Sequence, residues 1–239
     1  MKVAFHPSQN SGFSLAIGLL ASSVLFSGFY TSIAKSPEDV PGTRVQIVNA
    51  TSVPAISLKI DGKLFYPEFK QGLQSGEFPI EAHRPTYTVS DIATKRQVTQ
   101  KITYDKNSLQ SLVITGDFRP VSRIRSSGKA VLEPYLEFNV LSHLQTSDQR
   151  PLRYRFLNGL SSTKLSIQEA GEAWVIAPGQ IVSFHDQPPV KLFTIEAEDK
   201  SIEALIRQDG NALNCTVVFY EKAGSIKFMR IFETVPDKP

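Results

Sequence analysis

The nearest approach to a nucleophilic constellation is Ser183, His185 and Asp186, in the run Ser-Phe-His-Asp-Gln-Pro-Pro. A Ser/His/Asp triad works by convergence of side chains in space, which close neighbours along one chain do not supply. No Gly-x-Ser-x-Gly elbow occurs, and the stretch reads as a strand running into a turn. His83 and His143 stand on separate segments without partners at metal-ligand spacing, so they are expected to be structural. Glu196, Glu198 and Asp199 could take a hard cation, but no loop motif surrounds them and a solvated strand end is expected. No catalytic residue, metal site or cofactor is therefore expected.

Two features suit binding better than reaction. Arg119, Arg123, Arg125 and Lys129 form the densest basic run. On a strand, Arg123 and Arg125 would share a face and could grip carboxylates of an acidic polysaccharide or of a partner protein. The alternative is an edge strand guarded by charge. Trp174, the single tryptophan, could stack on a sugar ring, although within Ala-Trp-Val a core anchor is the commoner role. Cys215 is the sole cysteine, which excludes an intramolecular disulfide and any multi-cysteine metal site. A buried, inert thiol is expected there. Asn49-Ala50-Thr51 and Asn214-Cys215-Thr216 match the glycosylation triplet and are treated as chance matches.

The elements that must carry these residues fall into two similar halves. Arg44-Val45-Gln46-Ile47-Val48-Asn49-Ala50 returns as Arg153-Tyr154-Arg155-Phe156-Leu157-Asn158-Gly159. Each is a β-prone run ending in Asn and a small residue, followed by a Ser/Thr-containing turn. Downstream, Leu58-Lys59-Ile60 aligns with Leu165-Ser166-Ile167, and Tyr87-Thr88-Val89 with Phe193-Thr194-Ile195. The run from Asn107 aligns with that from Asn211, placing Cys215 on Ser111, and Arg123-Ile124 aligns with Arg230-Ile231. Shared order with drift confined to turns is the mark of a duplicated domain. Ile56, Leu58 and Ile60 alternate with polar residues as a half-buried strand does, and Asp61-Gly62 is a strong hairpin signal. About seven strands per copy, bounded by Pro, Gly, Asp or Asn and without a convincing amphipathic helix, predict an all-β chain. Its architecture is two tandem immunoglobulin-like β-sandwich domains. Separate strands are expected over 109–115 and 121–125.

The expected organisation is a signal peptide or membrane anchor (1–34) and a disordered lead-in (35–43). Domain 1 (44–127), a linker (128–150), domain 2 (151–235) and a tail (236–239) follow. Within the linker, 133–144 has apolar residues at both helical and strand spacing and is read as an extended strand or packed linker. Lys2 precedes an apolar tract from Phe13 to Tyr30, and Ser32-Ile33-Ala34 resembles a small-x-small cleavage site. Either fate of that segment exports the remainder, to the periplasm or beyond. At 41% hydrophobic and 21% charged, the chain can build a packed core. Its formal charge is +3; without residues 1–34 it is 25 basic minus 23 acidic, or +2. That is too little for a nucleic-acid surface.

The pattern Val-Gln-Ile-Val-Asn-Ala, a turn, then Leu-Lys-Ile-Asp-Gly resembles the opening of exported bacterial β-sandwich modules of unknown function. Tandem copies behind a signal peptide also resemble the periplasmic accessory protein of alginate O-acetylation, over about residues 44–235. Copy two departs from the pattern, with Glu169-Ala170-Gly171 in place of Asp-Gly. The resemblance implies a non-enzymatic adaptor that touches other exported or membrane proteins of a polysaccharide-modification system. A carbohydrate-binding module is the alternative, and an esterase built on Ser183 and His185 is a third class.

Overall fold

The computed structural model describes residues 42–124, 130–143, 152–169, 171–188, 190–198, 200–207 and 212–234. The segment 1–34, nearly all of the lead-in and the tail 236–239 lie outside them. All regular elements among the described residues are strands.

Copy one contains β1 (Thr43–Thr51), β2 (Ala55–Ile60), β3 (Lys63–Lys70), β4 (Phe78–Ile80), β5 (Thr86–Asp91), β6 (Gln97–Lys101), β7 (Leu109–Ile124) and β8 (Ala130–Ser142). Copy two contains β9 (Leu152–Asn158), β10 (Leu165–Glu169), β11 (Glu172–Ile176), β12 (Ile181–Gln187), β13 (Val190–Ala197), β14 (Lys200–Arg207), β15 (Ala212–Lys222) and β16 (Ser225–Thr234). Sheet order in copy one is β4-β1-β7-β8 against β3-β2-β5-β6. In copy two it is β12-β9-β15-β16 against β11-β10-β13-β14. Adding eight to each strand of the first copy gives the second. Both copies also carry the same unusual pairing, the first strand parallel to the seventh. The chain is thus two tandem β-sandwiches of one topology.

Local chemistry explains the frame. Asp61 and Gly62 both hold positive φ, 49° and 79°, the geometry a two-residue hairpin with right-twisted strands requires. Ile56 and Leu58 on β2 turn inward to Tyr87 and Val89 of β5 and to Ile47, Leu112 and Ile114 of the facing sheet. In copy two, Leu165 and Ile167 meet Phe193, Ile195, Phe156 and Val217 in the same way.

A third core lies between the copies. Val48, Ala50, Val113 and Leu141 of copy one pack with Leu157, Val218, Tyr220, Met229 and Ile231 of copy two. These residues alternate with the ones facing each sandwich's own core, so β1, β7, β9 and β15 are buried on both faces. The result is four stacked sheets, with the two inner ones back to back. Long-range hydrogen bonds cross the seam, among them Gln71 Nε2 to the Glu221 carbonyl (2.6 Å), Gln74 Nε2 to the Arg230 carbonyl (2.6 Å) and an Arg155 guanidinium nitrogen to the Ser142 carbonyl (3.3 Å).

The repeated Asn plus small residue has a physical reason at this seam. Asn49 is fully buried; its amide donates to the Phe69 carbonyl (2.7 Å), and its oxygen accepts from the Thr51 amide (3.1 Å) and hydroxyl (2.7 Å). Asn158, equally buried, donates to the carbonyls of Thr163 and Ile176 (both 2.9 Å) and accepts from the Leu160 amide (3.1 Å). Each therefore ties its first strand to the loops that cross between its sheets. The next residue must be small: Ala50 sits in the shared core, and a Cβ on Gly159 would fall 2.5 Å from the Phe219 carbonyl oxygen and 2.8 Å from Thr115 Cγ2.

Three readings of the sequence need correction, besides a slip of two residues on β2: Leu58 pairs Val89 where Ile167 pairs Ile195, so the counterpart of Leu58 is Ile167 and not Leu165. The stretches 109–115 and 121–125 are not separate strands, because β7 is continuous to Ile124 and bends at a bulge between Asp117 and Pro120. Pro120 there faces Pro134, and neither has an N–H to give the ladder. Ala130–Ser142, within the expected linker, is the eighth strand of copy one, and the 133–144 run is extended through Ser142. The counterpart of Arg230-Ile231 is consequently Val140-Leu141, since Val113 pairs Asn139 where Val218 pairs Met229. The third concerns Cys215. Val48 pairs Val113 in copy one and Leu157 pairs Val218 in copy two, which puts Cys215 on Gln110 rather than Ser111. A slip of one residue turns a strand over, and Ser111 indeed faces the seam while Cys215 faces its own core.

Replacing Asn49 by Ala leaves one buried carbonyl and two buried donors without partners. The expected cost is about 2–4 kcal/mol in denaturant unfolding, and Asn49→Asp should fare no better, lacking the donor. A loss below about 1 kcal/mol for both would contradict this role for the side chain.

Candidate functional site

The β7 bulge and the tip of the β15–β16 hairpin meet at one end of the seam and enclose a cleft of about 300 Å³. Asp117 is buried at its floor. Its carboxylate accepts from the Arg119 amide (2.8 Å) and from the Arg119 guanidinium in a very short contact. That hydrogen bond, reinforced by the Asp117 charge, holds the guanidinium above its ordinary pKa. The Arg119 side chain nevertheless stays 71% exposed at the mouth. Arg96 donates to the Phe118 carbonyl (3.3 Å), and Asp91 is occupied in capping its own turn through the Ala93 and Thr94 amides. Glu221 of the hairpin closes the far wall. A second cleft of about 180 Å³ on the other side of the same hairpin is lined by Ser161, Thr163, Glu198 and Lys200. No histidine or cysteine lines either one. Paired charges and hydroxyls of this kind can hydrogen-bond a polar ligand or a partner's surface.

A hydroxyl and a histidine from distant segments do meet elsewhere. Ser111 Oγ and His143 Nε2 are 2.7 Å apart, with both side chains buried at the seam. In a Ser/His/Asp triad a carboxylate stabilises the imidazolium; here the charge that acts on His143 is the Arg155 guanidinium. Burial first, and then Arg155, push the His143 pKa down to about 4. Burial likewise lowers Arg155 to about 10, with Arg153 adding to the effect. Arg155 is anchored on Thr216 Oγ1 (3.0 Å).

The sequence candidates scatter. Arg119 reaches the cleft. Arg123 lies further along β7, opposite Val131 of β8, and Arg125 and Lys129 lie outside the described residues. Trp174 sits on edge strand β11, 43% exposed, with its ring edge-on to Phe184 at 5.6 Å. It opposes Ile167 as Tyr66 opposes Leu58 in copy one, so each plugs the open edge of its own sandwich. Ser183 and His185 are both exposed and share one face of β12. Glu196 and Glu198 are engaged by Gln168 and Thr163, Asp199 lies outside the described residues, and no cluster fit for a metal ion occurs among the described residues. Cys215 is buried, and desolvation pushes its thiol up to about 12, so it stays protonated. Asn49 and Asn214 are also buried, which closes both glycosylation triplets in the folded chain.

Sequence reasoning missed Gln71, Gln74 and Arg155, the polar residues that fasten the seam. The available signal was an arginine in a strand whose flanking residues are apolar.

The depressed His143 pKa has a definite sign. The folded state favours neutral imidazole, so its contribution is complete above the unfolded value of 6.5 and is lost as pH falls from there toward 4. The span corresponds to about 3 kcal/mol. Denaturant unfolding should show stability falling between those limits, and His143→Gln should flatten the slope; an unchanged slope would contradict the assignment.

Compared with protein-family models the chain matches none, and no curated protein matches it.

Proposed function

We propose that the chain is a non-enzymatic exported adaptor, an accessory protein in O-acetylation of a cell-surface polysaccharide. The observation that carries the reading is the shared core between the copies. It joins the two sandwiches into one compact unit, which presents two outer sheets and a charged cleft, as a docking protein needs. The Ser111–His143 pair, buried beside a cation, supports the non-enzymatic half of the reading. The partners are other exported or membrane proteins of the modification system, with an acyltransferase foremost.

Removing the protein from its host should lower the acetyl content of the surface polysaccharide, while the purified full chain should neither transfer nor hydrolyse acetyl esters. Unchanged acetylation would sink the pathway assignment. Esterase or transferase activity lost in His185→Ala would sink the adaptor reading and revive chemistry at Ser183.

One observation favours a second reading, an extracellular polysaccharide-binding module: Trp174 and Arg119 are both well exposed. As the single tryptophan, Trp174 reports its own environment. Titration with an acidic polysaccharide should shift its fluorescence, and Trp174→Ala should weaken binding at least about tenfold, the scale of one lost stacking contact. No shift and no loss would leave the tryptophan as an edge plug alone.

A further inference from the structure

Because the two copies share one topology, each is a control for the other. The outer face of β5 and β6 in copy one carries the cross-strand pair Thr86↔Lys101. The corresponding pair in copy two, on β13 and β14, is Leu192↔Leu205. Both leucines are exposed, at 52% and 41%, and Val190 beside them is 54% exposed. The fold does not demand these aliphatics, since the polar pair serves the same place in copy one. Lysine on an edge strand is a device against pairing with another chain; at the place of Lys101 copy two carries leucine, while β14 keeps Lys200 beside its turn.

β14 is the terminal strand of its sheet. Its hairpin with β13 closes at Ala197↔Lys200 around two residues, so by alternation Ser201, Glu203, Leu205 and Arg207 turn their N–H and C=O groups to the open edge. Among the described residues, none of these groups is taken by a backbone hydrogen bond from elsewhere in the fold. The same residues put their side chains on the outer face, where all are exposed.

We infer that β14 pairs antiparallel with β14 of a second copy of this chain, about a two-fold axis at Leu205. That register uses only the unoccupied backbone groups. It places Leu205 opposite Leu205 of the partner subunit, with Leu192 next to it on either side. It also sets Glu203 opposite Arg207 of the partner subunit, and Arg207 opposite the partner's Glu203. The charges on the edge are thus self-complementary, which a two-fold contact requires, and the two four-stranded outer sheets become one of eight. An edge contact of this size lies at the small end of specific interfaces, so the association should grow across the micromolar range. The inference does not rest on the adaptor reading.

Sedimentation velocity of the full chain should show a monomer giving way to twice that mass as concentration rises. Leu205→Lys, which installs the residue of copy one, should hold the chain monomeric, as should Glu203→Arg. Adding Arg207→Glu to Glu203→Arg should restore the dimer. All three positions are exposed, so folding is unaffected, and circular dichroism checks this. A chain that stays monomeric at every concentration would overturn the inference. So would a dimer indifferent to Leu205→Lys, or one not rescued by the double charge swap. Dimerisation lost instead on Lys101→Leu would place the contact on the wrong copy.

Discussion

Two asparagine carboxamides without access to water hold this architecture together. At the end of β1 and of β9, the chain must pass from one sheet to the other, and the crossing exposes backbone groups that no ladder can satisfy. Asn49 and Asn158 satisfy them from inside, each donating to a carbonyl beyond the turn and accepting from an amide two residues on. A buried amide side chain is tolerable only when so fully engaged. Because the carboxamide points into its own sandwich, the following residue points the other way, toward the second copy. That residue must be small for the inner sheets to approach. Intradomain order and interdomain contact are therefore set by adjacent positions.

Back-to-back packing of the inner sheets decides what the rest of the molecule can do. Their outward faces are consumed by the shared core, leaving the outer sheets, the strand edges and the ends of the seam. Several of the polar groups caught inside bind one another or the backbone. Ser111 and His143 bond each other, and Arg155 binds Thr216 and the Ser142 carbonyl. An acid in the place of Arg155 would have supported an imidazolium; the cation opposes one. A group of charges that solvent reaches at the seam lies in the cleft beside the β15–β16 hairpin, where Asp117 pairs with Arg119.

The all-β class and the duplication were legible because they rest on local rules. Asp61-Gly62 marks a hairpin by its need for positive φ, and Ile56, Ser57 and Leu58 alternate because one face of β2 meets solvent. The same rules fail where a strand is covered on both sides. In β8, Leu136, Phe138 and Val140 face the sandwich core while Leu141 faces the seam. The apolar residues then fall at spacings that also suit a helix. β15 shows the same blurring, so the pattern around Cys215 fits two registers one residue apart. The seam itself left almost no trace in sequence, because an interface between like sheets uses the same Val, Leu and Ile as a core. Among the binding candidates, Arg119 is visible in the sequence only as part of a basic run. Its tie to Asp117 depends on a bulge that two opposed prolines create.

Duplication gives two copies the same frame, so their differences are where separate roles can reside. The plug at the open edge is Tyr66 in one copy and Trp174 in the other; both cover a core, and only the second is an indole half open to water. Thr86 and Lys101 guard one outer sheet, while Leu192 and Leu205 leave the other bare. Copy one carries the bulged β7 with Asp117 and Arg119; copy two supplies the hairpin tip that closes the cleft against them. Selection for stability alone would not push the outer face of one copy toward exposed leucine, since solvent-facing aliphatic surface adds little to folding and invites association. The asymmetry is intelligible if copy one faces water and copy two faces protein.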